Sequence, residues 1–178
     1  MATYPELTTM LLESAHESAP ADFAARIVPY LLEVWLSDYD LIEPHGRIVQ
    51  TSVNGFSYLF DIRSQRLISA WGISRGRHSG VRDKSRMAGH PLSAGPHYHR
   101  GHAIPHTLGG PADINLVPQR GSINIGPFRM LENRAVAIPG ALYFTYWSYA
   151  RGDGQTPVSV DQGLLVPGAR PDVRYLSN

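Results

Sequence analysis

The chain has 178 residues, 43% hydrophobic and 17% charged, which suits one folded domain with a real core and is short for two. It contains no cysteine, which excludes disulfides, thiolate metal sites and cysteine nucleophiles. A net charge of +1 conceals a split: residues 1–45 carry eight acids against Arg26 alone, whereas Arg75–Arg134 carries nine basic residues against Asp83, Asp113 and Glu132. The middle of the chain can face a polyanion and the N-terminal part cannot.

No basic leader followed by an apolar stretch and no long uncharged apolar run occurs, so neither a secretory signal nor a membrane span is expected. That points to synthesis in the cytoplasm, with any delivery or secretion by a signal-independent route. Leu7, Met10, Leu11 and Ser14 suggest a short first helix. Phe23, Ile27, Tyr30, Leu31, Val34 and Trp35 then recur at three- and four-residue steps and predict an amphipathic helix opened by Pro20, with Pro29 as a candidate kink.

At Arg47 the period changes from helical to alternating. Asn54-Gly55 is a strong hairpin signal because both residues accept positive φ, and Arg63-Ser64-Gln65 supplies a second turn, so three antiparallel strands are expected. On the strand that follows Asn54-Gly55, Phe56, Tyr58 and Phe60 read as core positions in preference to base-stacking ones. Ser74–Pro96 is a long loop whose Arg75, Arg77, Arg82, Lys84 and Arg86 form either a phosphate track or a solvated face. Pro127 opens a short helix carrying Phe128, Leu131 and Ala135, and two β-rich runs after Ala141 predict a terminal hairpin.

Between loop and helix lies HYHRGHAIPHTLGGPADINLVPQ, His97 to Gln119. The spacing of His97, His99 and His102 is that of a metallo-β-lactamase-type cage, but such a cage needs Asp where Gly101 stands and more ligands than the single later His106. The stretch instead groups as Arg100-Gly101-His102, Gly109-Gly110-Pro111, Asn115-Leu116-Val117-Pro118-Gln119, Asn124-Ile125-Gly126 and Leu131-Glu132. In order and spacing this resembles the DNA/RNA non-specific endonucleases, including their bacterial toxin-type members, strongly over His99–Arg134 and little over the first 45 residues.

The chemistry of these residues agrees with the resemblance. Phosphodiester hydrolysis needs a base for water, a cation against the developing charge, and donors for the phosphate. His102 can be the base; Asn124 offers a hard amide oxygen for Mg²⁺; Glu132, about two helical turns later, can reach the ion's waters from the same helix face; Arg100 can fork onto phosphate. The resemblance implies an α+β fold in which an antiparallel sheet carries a ββα-metal core and N-terminal helices. Two strands and a helix there pinch one metal, with His102 as general base, Asn124 as direct ligand, and Asn115 and Gln119 bracing the site.

Residues 1–45 are expected to be a helical segment packed on the same domain, and residues 46–178 the ββα-metal nuclease domain. His99 stands where the family places an acid, which makes it a candidate metal neighbour that would favour Mn²⁺ or another divalent transition metal. Val136 stands where an arginine is usual, for which Arg129 or Arg134 can compensate. Arg120 joins them as a candidate nucleic-acid contact.

The expected activity is metal-dependent, sequence-tolerant cleavage of DNA and RNA, as in an antibacterial toxin effector held by an inhibitor or immunity protein, with no membrane partner. The alternative is a catalytically inactive nucleic-acid-binding or protein-interaction module. Asn124 as a helix cap and Glu132 as a solvated helix residue are the corresponding plain readings.

Overall fold

A computed structural model describes residues 2–17, 19–81, 85, 91, 94–152 and 154–178. The first helix, α1 (Leu7–Glu13), and α2 (Pro20–Asp40) follow the predicted periodicity, and α2 runs through the exposed Pro29 without interruption. It buries Phe23, Ile27, Leu31, Trp35 and Tyr39, one residue per turn.

Strands β1 (Ile48–Val53), β2 (Phe56–Asp61) and β3 (Arg66–Ile73) form the predicted meander. Asn54 and Gly55 hold φ of 56° and 81° at the first turn, and Gln65 takes φ of 53° at the second. Phe56 and Tyr58 are buried, as core positions should be. Next come β4 (Tyr98–His102), β5 (Leu116–Arg120), α3 (Gly121–Ile125), α4 (Pro127–Ala137), β6 (Leu142–Ser148), β7 (Ser159–Leu165) and β8 (Asp172–Ser177).

Six strands make one antiparallel sheet in the order β1-β2-β3-β6-β7-β8, and β4-β5 form a separate antiparallel ribbon. The predicted terminal hairpin is therefore an inner pair of the sheet, because β8 adds a further strand at its edge. Side-chain alternation on β6 builds three layers. Phe144 and Tyr146 meet Trp35 of α2 with ring centroids 5.3 and 6.1 Å apart, while Trp147 meets Phe128 of α4 at 6.0 Å on the other face.

On that second face Gln162 of β7 donates to the Phe128 carbonyl (2.9 Å) and to the Tyr143 hydroxyl (2.8 Å), so α4 is fixed to the sheet by packing and by a buried amide. The ribbon is tied in by Asn178, whose amide nitrogen donates to the Pro118 and Pro157 carbonyls, both at 2.9 Å, and whose oxygen accepts from the Arg120 amide at 2.9 Å. The fold is thus α+β, with an antiparallel sheet, N-terminal helices on one face and a ββα unit on the other. The N-terminal helices share the sheet's core with residues 46–178. No helix among the described residues is long and apolar enough to cross a membrane.

Candidate active site

The ribbon register pairs Tyr98 with Arg120, His99 with Gln119, Arg100 with Pro118, Gly101 with Val117 and His102 with Leu116. Because side chains alternate, Tyr98, Arg100 and His102 share one face with Leu116, Pro118 and Arg120, while His99 and Gly101 share the other with Val117 and Gln119. Gly101 has no room for a side chain: an added Cβ would stand 2.7 Å from the Gln119 Cβ.

His102 ends β4 and is 8% exposed. The loop beyond it is held by Asn115, fully buried, whose Oδ1 accepts from the Ile104 amide (2.6 Å) and whose Nδ2 donates to the Ile104 carbonyl (2.6 Å) and the Pro111 carbonyl (3.0 Å). A Cβ on Gly110 would lie 2.6 Å from that same Nδ2, so the glycine lets the loop close onto the amide. Asn115 therefore acts on the backbone beside His102.

A polar cleft of about 480 Å³ lies between this loop and the two short helices, lined by Arg77, His102, His106, Asn124, Arg129 and Glu132, with Pro105, Thr107, Ile125 and Asn133 between them. Asn124 and Glu132 do not stand on one continuous helix, as the two-turn spacing implied. Gly126, at φ −102° and ψ −113°, breaks α3 from α4, and Pro127 starts the second helix, yet both side chains still reach the cleft. Asn124 lies inside α3, and Gly126 holds the N-terminal cap position of α4, so Asn124 is not that helix's cap. Glu132 also reports its charge inward: burial pushes the Tyr143 hydroxyl well above its ordinary range, and the Glu132 carboxylate pushes it further.

His99 departs from the expectation. Strand alternation sets it opposite His102, its ring lies against Gly121, where an added Cβ would meet His99 Nε2 at 2.8 Å, and it does not line the cleft. Arg100 lies on the His102 face, outside the cleft lining.

The remaining basic residues scatter. Arg77 and Arg129 line the cleft. Arg75 lines a separate, mostly apolar cavity of about 600 Å³ with Ala21, Ala24, Ala25 and Trp71. Arg120 lies over the Tyr98 ring at 5.9 Å, and Arg134 is ion-paired with Asp172. Arg82, Lys84 and Arg86 lie outside the described residues.

Sequence reasoning passed over His106, weighed there only as the one later histidine of a metal cage still short of ligands. The available signal was its place four residues after His102, just past Pro105, whose fixed φ favours a turn. Among the described residues no cluster of three His, Asp or Glu side chains could hold a metal by itself. The oxygen donors that line the cleft, the Asn124 and Asn133 amides and the Glu132 carboxylate, are the hard oxygens suited to a Mg²⁺ ion that keeps most of its waters.

Residues 67–140 match the family model described as DNA/RNA non-specific endonuclease. No curated protein sequence matches the chain. Among solved structures it is similar to NucA from Streptococcus agalactiae without metal, with 16% identity over 82% of this chain and 89% of NucA and a TM-score of 0.49. It is similar also to magnesium-bound NucA from the same organism, with 16% identity over 82% and 88% and a TM-score of 0.49.

Proposed function

Taking residues 67–140 as a nuclease domain of the DNA/RNA non-specific endonuclease family, we propose that the protein is a metal-dependent endonuclease that hydrolyses phosphodiester bonds of DNA and RNA with little sequence preference. The observation that carries this reading is the convergence of His102, Asn124 and Glu132 with Arg77 and Arg129 on one polar cleft. A module that only bound nucleic acid would use the arginines and would need neither the buried imidazole nor the amide and carboxylate beside it.

In this mechanism the His102 imidazole takes a proton from a water aligned with the phosphorus, its backbone fixed by the Asn115 clasp on Ile104. Asn124 would hold Mg²⁺, or Mn²⁺ or a related divalent ion, directly, and Glu132 would hold it through its waters. The ion, when bound, supplies charge neutralisation at the phosphate. Arg77 and Arg129 clamp the phosphodiester, and Arg100, on the His102 face of the ribbon, reaches a neighbouring phosphate of the strand.

The test is cleavage of plasmid DNA and of structured RNA by purified protein, with Mg²⁺ and with a chelator. Metal-dependent cutting of both that falls at least about a hundredfold in His102→Ala, with DNA affinity kept, is the expected outcome. Binding without cutting at any metal concentration would establish the inactive module instead.

The charge split supports a partner as well. An enzyme of this kind made inside a cell calls for an inhibitor or immunity protein until delivery as a toxin. Such a partner would be acidic where it covers Arg75–Arg134, or would grip the acidic N-terminal helices. Growth arrest on cytoplasmic expression, relieved by His102→Ala, is the corresponding observation.

A further inference from the structure

Resting on that reading, we propose that His106 is a second catalytic histidine, the general acid that protonates the leaving oxygen. The oxygen that departs from phosphorus becomes an alkoxide and needs a proton, which neither the base nor the arginine clamps supply. His106 lines the same cleft as His102. The two are joined through Ala103, Ile104 and Pro105, all buried, with Ile104 clasped on its amide and its carbonyl by Asn115, which fixes the backbone between them.

The ring of His106 is held too. Its Nε2 is 3.2 Å from the Gly80 carbonyl, which can only accept, so Nε2 carries a hydrogen and Nδ1 is the nitrogen left for proton exchange. The His78 ring packs edge-on at 6.0 Å between centroids, and the His78 amide donates to the Thr107 carbonyl at 2.7 Å, fastening the turn that bears His106 to the segment that bears Gly80. A solvated surface histidine has no call for such an orienting carbonyl, whereas an imidazole that works through its other nitrogen does.

The step balances. Water oxygen bonds to phosphorus as its proton passes to His102; the bond from phosphorus to the leaving oxygen breaks, and that oxygen takes the Nδ1 proton of the His106 imidazolium. The products are a phosphomonoester end and a free hydroxyl end. His102 then loses a proton to solvent and His106 regains one.

The test compares an ordinary oligonucleotide with one carrying a bridging sulfur in place of the leaving oxygen, since a thiolate departs without protonation. On the ordinary substrate His106→Ala should lose about a hundredfold in kcat. On the sulfur substrate it should fall no more than about threefold, while His102→Ala loses heavily on both. His106→Gln, which keeps a donor for Gly80 and has no transferable proton, should follow His106→Ala with an unchanged melting temperature. Equal losses on the two substrates, or no loss on either, overturns the general-acid role. A wild-type protein inactive on both substrates with Mg²⁺ present overturns the nuclease reading beneath it.

Discussion

Asn115 grips Ile104 from both sides of one peptide backbone, accepting from its amide and donating to its carbonyl at 2.6 Å each. Two residues upstream stands His102 and two downstream His106, so one buried amide sets the place of both imidazoles. Asn115→Ala removes three hydrogen bonds and leaves the Ile104 amide and carbonyl buried without partners. A stability loss of about 3 kcal/mol is expected, since an unsatisfied buried group costs about 1–3 kcal/mol. The urea midpoint should drop, and kcat should fall more than KM rises, because Arg77 and Arg129, the proposed phosphate clamps, stand on other elements. Unchanged kcat at a temperature where the variant remains folded would show that the loop holds its shape without the clasp.

Asn124 separates a metal role from a structural one. Its place inside the five-residue α3, in the cleft and away from the cap of α4, gives Asn124→Ala little to destabilise. Cleavage should therefore fall steeply at low Mg²⁺ and recover partly at high Mg²⁺ or Mn²⁺, while the melting temperature stays within about 2 °C, as surface changes of about 0.5 kcal/mol allow. A metal titration of initial rates checks this. A lowered melting temperature with an unchanged titration curve would reassign Asn124 to holding the α3–α4 corner.

How far the sequence could be read depended on how local the determinants were. Asn54-Gly55 encodes its own turn, and the α2 stripe from Phe23 to Tyr39 encodes its own face, so the meander and the long helix were legible. The ribbon was not legible from period alone, since Tyr98-His99-Arg100-Gly101-His102 has no apolar alternation. What holds it is distant: Asn178 against Pro118 and Arg120, and Gln119 buried against Gly101. The strand Asp172–Ser177, mixed in polarity at the sheet edge, was missed for the same reason. The residue types of the cleft were legible through the motif spacing, but not the break at Gly126, nor the placing of His106, whose ring is held by Gly80 from a remote loop.

His99 shows the hazard of reading a motif as a line. Three positions apart on a strand means opposite faces, and its ring rests on Gly121 and not in the cleft. His99→Asp should accordingly leave the ranking of Mg²⁺, Mn²⁺ and Co²⁺ in cleavage unchanged, and the acid limb of the rate profile as well. A shift of preference toward Mg²⁺ would show that position 99 acts on the metal through its waters after all.

The stability of the fold should carry an unusual pH dependence from Asp161, buried under α2 at 4% exposure. Tyr4 donates to its carboxylate at 2.9 Å, and the neighbouring Asp38 accepts from Tyr146 at 2.9 Å. Burial, helped by the Asp38 charge and opposed by the Tyr4 hydrogen bond, pushes Asp161 up to about 6. In the unfolded chain an aspartate titrates near 3.9, so between about pH 4 and 6 the native state binds more protons. Stability from this group is therefore greatest below pH 4, falls as pH rises through 6, and is level above, by about 3 kcal/mol at most.

Asp61 runs the other way. Burial raises it, but the Tyr39 hydroxyl and the amides of Arg47, Arg63 and Ser64 outweigh burial and hold it below its ordinary value, so its contribution is lost on the acid side. Subtracting a variant isolates Asp161 from such opposing groups. Asp161→Asn keeps an oxygen for Tyr4 and cannot ionise, so the difference in melting temperature between variant and wild type should grow in the variant's favour from pH 4 to 6 and then stay constant to pH 8. Parallel melting profiles across that range would mean that water reaches the carboxylate and that Asp161 titrates as an ordinary surface acid.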